Sequence, residues 1–474
     1  MPITMMRGIL VPAMAAMVLL SACGADASLE SSGARSTSSA GPAEPPVPGP
    51  TTFPSPPTIA DCLARTRKAC YSADLVRKAY GVDALAGAGV TGKGTTIAIF
   101  DFSGSPTATK DLEVFSKASG LPAPNITIHQ QDLVKGPVAA FDPRNENMLD
   151  TAEETSLDLQ AAHAMAPDAE LVLQQVNLPA EHWKKHRQGH QQSTSSAPAD
   201  PVSDRLMADE AAIVADAVDE VISETPADVL SISYGYPEVQ FGNKDIAALN
   251  TYHPVFQQAA DKGVTVLASS GDHGAAPPLG PEHSRVRTVQ WPSSDPSVLA
   301  VGGTRVHLDQ AGERTAADEV WDEPGGWAGG GGLSRAFGGA GFQAPIRQIT
   351  GEHRGVPDLA MSAASDGGLL VYQTMDPANA GWLPIGGTSE AAPLLAGVVA
   401  LAVQKAGKRL GLVAPAIYRL ASQKDPRATG IIDLTRGRNG VDGYEAVAGY
   451  DLASGWGTVD ASTFVPALAA HAGD

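Results

Sequence analysis

Cysteine, basic charge and long apolar runs are scarce in this chain of 474 residues. Three cysteines are too few for a disulfide framework, so a hydrophobic core must hold the fold, and a hydrophobic content of 43% suits that. The 33 Lys and Arg residues face 52 Asp and Glu residues, and the net charge of -19 argues against nucleic acid as a partner. The apolar run over residues 9–20 is too short to span a bilayer as a stable helix.

The N-terminus has the pattern of an export signal. Arg7 places a positive charge before the apolar run, and residues 20–23, Leu-Ser-Ala-Cys, resemble a bacterial lipobox, in which the cysteine is diacylated. We therefore predict a lipoprotein signal peptide over residues 1–22. The protein would be extracytoplasmic and anchored to the bacterial cell membrane through lipidated Cys23. The alternative is an ordinary secretory signal cleaved near Ala25.

Cysteine pairing and composition set the next boundaries. In an exported chain, Cys62 and Cys70 are expected to form a disulfide that closes a short loop. Residues 23–58 are rich in Ser, Pro and Gly and hold almost no large apolar side chain, so we predict a disordered tether. The globular domain is predicted over residues 59–474, and we expect it to be a monomer.

Short apolar strands alternate with helical segments through this domain. The predicted strands cover residues 95–101, 126–129, 169–176, 229–233 and 264–269. The predicted helices cover residues 73–80, 110–118, 153–165, 206–222 and 254–262. Such alternation with short connections predicts an α/β fold with a mainly parallel sheet.

Two segments interrupt the alternation. Residues 179–204 form a His-, Gln-, Ser- and Pro-rich insertion, which we predict to be an exposed loop. Its histidines, His182, His186 and His190, are expected to be solvated because no acidic or Cys ligand accompanies them. Residues 325–332 are predicted to be a flexible Gly-rich segment, and they lack the Gly-Lys-Ser/Thr of a phosphate loop.

Residues 386–393, Gly-Gly-Thr-Ser-Glu-Ala-Ala-Pro, lead directly into an apolar helical run. The glycines permit close approach of a backbone or a substrate. Ser389 falls in the first helical turn, where free N–H groups and the helix dipole favour a developing negative charge. The pattern is typical of a helix cap, or of the nucleophile segment of a subtilisin-like serine peptidase.

A nucleophilic serine needs a base, and carboxylates fit that role here better than histidine does. Glu154 and Asp158 are spaced i, i+4, so they share one helix face despite their like charge. Asp272 follows the predicted strand over 264–269, and functional sites gather at the carboxyl ends of parallel strands. His163 is the candidate base of a histidine-type hydrolase, but it lies inside a predicted helix.

Glu154, Asp158, Asp272 and Ser389, in this order, resemble the catalytic positions of the sedolisin family, the serine-carboxyl peptidases. The resemblance covers about residues 62–470 and includes further family-like segments, at residues 70–73, 78–81, 230–235, 291–294, 302–304 and 356–360. It implies a subtilisin-like fold, whose mainly parallel central sheet is flanked by helices on both faces.

The resemblance also implies a serine-type endopeptidase that hydrolyses protein or peptide substrates at acidic pH. Glu154 would take the proton from Ser389 as general base, and Asp158 would hold and polarise Glu154. Protonated Asp272 would donate to the tetrahedral oxyanion together with backbone N–H groups near Ser389. The pKa of Asp272 must then lie above its ordinary value, because of burial and neighbouring carboxylates.

The C-terminal region, over about residues 433–457, resembles the calcium loop of the same family. Ca²⁺ prefers hard oxygen ligands. The ligands implied by position are two carboxylates and three backbone carbonyls, those of Asp433, Asp451, Leu434, Val447 and Gly449.

Three positions extend the family pattern or depart from it. Asp101 matches a carboxylate that some relatives link to the catalytic acids, Tyr234 stands where they have tryptophan, and Glu390 replaces a small residue. Two other functions stay open: a histidine-based subtilisin-like hydrolase, and a catalytically inactive homologue that acts as a cell-surface binding protein. The presence of all four catalytic residues argues against the inactive homologue.

Overall fold

The structure, a computed structural model, describes residues 52–133, 135–181, 201–241, 246–277 and 286–472, with the side chains of 201–208 excepted. The predicted signal peptide, lipidated Cys23 and the three loop histidines lie outside the described residues.

Helices and strands alternate as the sequence predicts. The helices are α1 (Ile59–Thr66), α2 (Ala73–Ala79), α3 (Val82–Gly87), α4 (Ala108–Ala118), α5 (Glu146–Met165), α6 (Pro201–Glu224), α7 (Leu249–Asp261), α8 (Arg347–Thr350), α9 (Thr388–Ala406), α10 (Ala414–Ala421) and α11 (Ala461–His471). The strands are β1 (Cys70–Tyr71), β2 (Thr96–Phe102), β3 (Asn125–Gln131), β4 (Glu170–Val176), β5 (Val229–Ile232), β6 (Tyr236–Pro237), β7 (Thr265–Ser269), β8 (Gln290–Trp291), β9 (Leu299–Arg305), β10 (Glu319–Val320), β11 (Asp322–Glu323), β12 (Trp327–Ala328), β13 (Gly332–Gly338), β14 (His353–Val356), β15 (Leu359–Ser362), β16 (Gly368–Gln373), β17 (Gly381–Ile385), β18 (Ile431–Ile432) and β19 (Thr458–Val459).

An eight-stranded sheet forms the centre of the domain, in the order β10-β9-β7-β5-β2-β4-β3, with β15 also paired to β9. Every pairing in it is parallel except that of β10 with β9. The predicted mainly parallel sheet is therefore confirmed.

Helices cover both faces of this sheet, as predicted. Side chains alternate along a strand, so Ile97 and Ile99 of β2 belong to one core, with residues of α5 and α9. Ala98 and Phe100 belong to the other core, with residues of α6 and α7. α9 is buried at almost every position from Thr388 to Val403. No helix among the described residues is both long and apolar enough to cross a membrane.

The start of the domain lies earlier than predicted. Phe53, placed by the sequence in the disordered tether, is buried, and its N–H donates to the Trp382 carbonyl at 2.7 Å. Thr58 then caps α1 through a reciprocal capping box with Asp61. One aromatic residue in a polar segment does not by itself predict that the globular domain begins there. The predicted disulfide is confirmed, and it joins Cys62 within α1 to Cys70 of β1.

The Gly-rich segment over residues 325–332 is not the flexible loop that its composition suggested. β12 and the start of β13 lie within it, and Gly329, Gly330 and Gly331 are buried. A Cβ on Gly330 would overlap the Ser270 carbonyl oxygen, and one on Gly331 would overlap a carbonyl oxygen of the C-terminal loop. These glycines permit close packing of backbone on backbone.

The substitution Gly330→Ala tests this packing. We expect it to lower the free energy of unfolding by about 1–3 kcal/mol, because the new methyl group meets backbone that cannot move aside. Gly341→Ala is the matched control, since a Cβ there has nothing within 4 Å. Urea denaturation of both variants measures the difference, and equal stability of the two would contradict the packing argument.

Candidate active site

Three neighbouring strands of the central sheet deliver polar side chains to one edge. Asp101 lies near the end of β2, Tyr234 follows β5, and Asp272 follows β7. β7, β5 and β2 are adjacent and parallel, so their carboxyl ends meet. The start of α9 closes the site, because the N–H of Thr388 donates to Asp272 at 2.8 Å.

Two unusual backbone features fix Ser389 at the start of α9. Gly387 has a φ of 119°, which favours glycine, and a Cβ there would lie 2.9 Å from Asp272 Oδ2. Pro393 has no N–H to donate to the Ser389 carbonyl four residues earlier. The Ser233 hydroxyl donates to that carbonyl instead, at 3.5 Å.

The Ser389 side chain is partly exposed, as a nucleophile must be. Its hydroxyl donates to the Ser233 carbonyl over a long 3.4 Å. The Ser389 N–H donates to no other described residue, so it is free for a ligand at the positive end of the helix.

Glu154 and Asp158 face this serine from α5. The Ser389 hydroxyl is close enough to Glu154 to lower the pKa of that carboxyl, although burial and the neighbouring acids raise it more. Glu154 Oε1 has no hydrogen-bond partner among the described residues. The serine and the glutamate are thus adjacent but not tightly bonded, a looseness common in ligand-free catalytic sites.

Asp158 and Asp101 lie deeper and are fully buried. Burial, followed by the charges of Glu154 and Asp101, raises the pKa of Asp158 well above its ordinary value. Burial also raises the pKa of Asp101 to about 7. Asp101 accepts hydrogen bonds from the Tyr234 hydroxyl, at 2.5 Å, and from the Thr155 hydroxyl.

Asp272 sits against the first turn of α9. Its Oδ1 accepts the N–H of Thr388 at 2.8 Å and the Thr388 hydroxyl at 2.6 Å, and that hydroxyl accepts the Gly271 N–H at 3.0 Å. Burial raises the pKa of Asp272, and the two hydrogen bonds from Thr388 offset part of that rise. Oδ2 is left facing Gly387, beside Ser389.

The cluster lacks a Lys or Arg partner in the described part of the chain. No Lys or Arg of the described residues forms a salt bridge with Asp101, Glu154, Asp158 or Asp272. Four neighbouring acids, two of them fully buried and two partly buried, cannot all ionise at moderate cost without such a partner, because each charge raises the pKa of the others. The site is therefore built to hold protons.

No histidine of the described residues forms a hydrogen bond with Ser389. His163 is buried inside α5, and its Nε2 lies 3.3 Å from the Pro122 carbonyl. Burial lowers its pKa to about 4. Sequence reasoning missed Thr155, Ser233 and Thr388, although each is next to a residue that it did select.

Glu390 points away from the catalytic acids into the protein interior. It is fully buried, and neither carboxylate oxygen has a well-aligned hydrogen-bond partner among the described residues. Burial raises its pKa to about 8, only partly offset by the Ser362 hydroxyl and the Leu369 backbone.

The calcium-loop residues lie together at the C-terminal end of the domain. Asp433 accepts the Gly449 N–H at 2.8 Å, and Asp451 accepts the Val447 N–H at 3.0 Å. The carbonyls of Leu434, Val447 and Gly449 accept no hydrogen bond from the described residues. No group of three or more His, Cys, Asp or Glu side chains that could hold a metal occurs in the described ranges, so carbonyls would have to complete the shell. In kind, these donors fit Ca²⁺.

Comparison with known proteins agrees with the fold. The model of the subtilase family matches residues 207–416. Kumamolisin from Bacillus sp. (strain MN-32) is 31% identical over 78% of this chain and 59% of its own length. Sedolisin from Pseudomonas sp. (strain 101) is 33% identical over 52% of this chain and 41% of its own length. The chain thus spans about three-fifths or less of these two relatives.

A solved structure is similar to this chain in fold. Pseudomonas sedolisin, a serine-carboxyl proteinase complexed with two molecules of pseudo-iodotyrostatin, superposes with a TM-score of 0.67 and 26% identity. The match covers 84% of this chain and 97% of that one. Fold and family model together define a subtilisin-like α/β protein. Within that class, the chain is similar to members of the sedolisin family.

The buried Glu390 predicts how stability depends on pH. The folded protein holds a proton, with a pKa of about 8, that an unfolded glutamate, with a pKa of 4.5, releases. The contribution of Glu390 to the free energy of unfolding is therefore complete below pH 4.5 and is lost as pH rises toward 8. Between these values the free energy of unfolding falls with a slope approaching ~1.4 kcal/mol per pH unit.

Glu390→Gln removes this slope, because the amide is neutral throughout. Urea denaturation at several values from about pH 4 to about pH 8 compares the variant with wild type and with Glu146→Gln, an exposed glutamate on α5. Parallel pH dependence of wild type and Glu390→Gln would show that Glu390 does not bind the extra proton.

Proposed function

We propose that this protein is a serine-carboxyl endopeptidase that acts as a monomer and hydrolyses peptide bonds at acidic pH. The observation that carries the proposal is the proximity of the Ser389 hydroxyl to the Glu154 carboxyl, whose pKa it lowers, inside a cluster of acids that pairs with no Lys or Arg of the described residues. Sedolisin and kumamolisin, two of the similar proteins, support the same reaction class.

Each catalytic group has one task in the proposed reaction. Glu154 accepts the Ser389 proton as the hydroxyl attacks the substrate carbonyl, and later returns it to the leaving amine. Asp158 is the buried acid behind Glu154 and holds it in position. Asp272, protonated, donates from Oδ2 to the oxyanion, with the free Ser389 N–H as the second donor.

The acidic pH optimum follows from the direction of the pKa shifts. Asp272 donates only while protonated, and burial extends its protonated range upward in pH. Glu154 can accept the Ser389 proton only while it is ionised, so at that step the proton shared by the two neighbouring acids must lie on Asp158, whose pKa is raised by burial and by the charge of Glu154. As pH rises, the acids ionise and repel each other, and the oxyanion loses its donor.

Replacing the nucleophile or its base tests the assignment. We expect Ser389→Ala and Glu154→Ala to cleave an unfolded protein at acidic pH at least about a thousandfold more slowly than wild type. Glu146→Gln, on the exposed first turn of α5, is the control and should keep full activity. Gel-based assays measure the cleavage rate of wild type and of the three variants. If wild type cleaves no faster than Ser389→Ala, the proposal is wrong.

We also propose that Ca²⁺ binds between Asp433 and the loop over 447–451. The support is the free carbonyls of Leu434, Val447 and Gly449 together with the two carboxylates, whose pKa values are both raised mainly by burial. When bound, the ion would offset this buried negative charge and tie the two loops together. It would not take part in the reaction at Ser389.

Chelation tests the calcium proposal. A ligand that binds only the folded protein stabilises it by about 2.7 kcal/mol at a concentration of about 100 times its Kd, so a strong chelator should lower Tm and added Ca²⁺ should restore it. In Asp451→Asn the chelator should have little further effect. An unchanged Tm of wild type after chelation rules out a stabilising calcium site.

We further propose an exported lipoprotein, anchored to the bacterial cell membrane through Cys23. The lipobox-like residues 20–23 support anchoring, and the Cys62–Cys70 disulfide supports an oxidising compartment.

Cell fractionation of wild type and Cys23→Ser tests this anchoring. The variant lacks the thiol that would carry the lipid, so it should leave the membrane fraction or accumulate unprocessed. Identical distribution and processing of the two proteins would contradict lipidation.

A further inference from the structure

Two aromatic rings beside Asp272, those of Trp327 and His273, take no part in the proposed chemistry. Trp327 is 49% exposed, whereas Trp291, Trp321 and Trp382 are buried. A half-exposed indole leaves apolar surface in water, which a ligand bound beside Asp272 could cover.

The tryptophan stands on a short, rigid hairpin. β11 and β12 pair with Glu323 opposite Trp327, and the turn between them contains Gly325 and Gly326 with φ of 94° and 86°. Both values favour glycine, which lets the chain close the tight turn of the hairpin.

The base of the hairpin is held by Glu323, which is buried. Its carboxylate accepts hydrogen bonds from the Trp321 indole at 3.0 Å, the Ser365 hydroxyl at 2.7 Å and the Asp366 N–H at 2.9 Å. Arg305 donates to it as well, at 3.0 Å. The hairpin is therefore a fixed wall of the domain.

The same hairpin is bonded to the catalytic loop. The Ala328 N–H donates to the Asp272 carbonyl at 2.9 Å, and the Gly274 N–H donates to the Ala328 carbonyl at 2.8 Å. His273, exposed between them, lies with its ring centroid 4.8 Å from that of Trp327 at an angle of 36°. Trp327 is thus fixed in position relative to the proposed oxyanion donor.

We propose that Trp327 and His273 form a subsite that binds an aromatic side chain of the polypeptide substrate next to the scissile bond. The inference rests on the proposed peptidase function. A substrate whose carbonyl group lies beside Asp272 must pass along the loop that contains Asp272 and His273. The hairpin of Trp327 is hydrogen-bonded to that loop.

An aromatic side chain is the occupant that these two rings fit best. Covering the exposed indole removes apolar surface from water, and pairing of rings adds attraction beyond the buried area. Because the wall is already rigid, binding orders little of the protein. The subsite therefore acts on binding, and removing Trp327 should change KM more than kcat.

The test is a set of peptides that differ at one residue, carrying Phe, Leu, Asp or Gly at each position flanking the cleaved bond in turn. At one of these positions wild type should prefer Phe. Trp327→Ala should lose about tenfold in kcat/KM on that Phe peptide and less than about twofold on the Gly peptide, and Trp327→Phe should keep most of the preference.

Leu63→Ala is the matched control, since Leu63 is 48% exposed and lies on α1, outside the hairpin. Its peptide profile should equal that of wild type. If Trp327→Ala lowers kcat/KM by the same factor on all peptides, the tryptophan has only a structural role and the inference is overturned. A wild-type preference for Asp over Phe would overturn it too, in favour of recognition by His273.

A binding measurement separates this inference from the peptidase proposal. Calorimetry with the Phe peptide compares Ser389→Ala with the double variant that also carries Trp327→Ala, and we expect an about tenfold weaker Kd for the double variant. Equal Kd values overturn the subsite whether or not wild type cleaves peptides. Failure of the peptidase proposal appears separately, as wild-type cleavage no faster than that of Ser389→Ala.

Discussion

The structure depends on one electrostatic constraint, the burial of several carboxyl groups near a serine, with no Lys or Arg of the described residues paired to them. Asp101, Glu154, Asp158 and Asp272 meet at the carboxyl ends of β2, β5 and β7 and on the facing helix α5. Burial and mutual repulsion keep protons on this cluster, so the site is most stable in acid. In the proposed reaction a shared carboxyl proton takes the place that an imidazole holds in histidine-based serine hydrolases.

Rigid backbone contacts hold that cluster in register. Thr388 links Asp272 to the first turn of α9, and Ser233 donates to the carbonyl that Pro393 leaves without an intrahelical partner. The close-packed glycines over residues 329–331 bring the hairpin of Trp327 against the same loop. Nucleophile, oxyanion donor and the wall beside them are therefore parts of one packed unit, and the acids on α5 face it across the core.

The parallel sheet and the disulfide could be predicted from local signatures in the sequence, and the residues found around Ser389 could be predicted from their resemblance to a family pattern. Buried apolar runs marked the strands, and i, i+4 spacing placed Glu154 and Asp158 on one face. Other features depend on tertiary contacts. The sequence around Phe53 predicts a tether, but Phe53 is buried because it pairs with Trp382. The sequence around Gly330 predicts a flexible segment, but Gly330 is packed against Ser270. The burial of Glu390 likewise follows from where α9 lies and not from its neighbours in sequence.

The central claim is that Glu154, beside Ser389, carries a proton well above the pH at which a free glutamate loses it. Carbon-13 NMR of the side-chain carboxyls in Ser389→Ala tests it directly, with Glu154→Gln added to identify the resonance. The account predicts that this resonance titrates above the ordinary glutamate pKa of ~4.3. A resonance that titrates at or below that value would contradict it, because Glu154 would then be an ordinary ionised side chain.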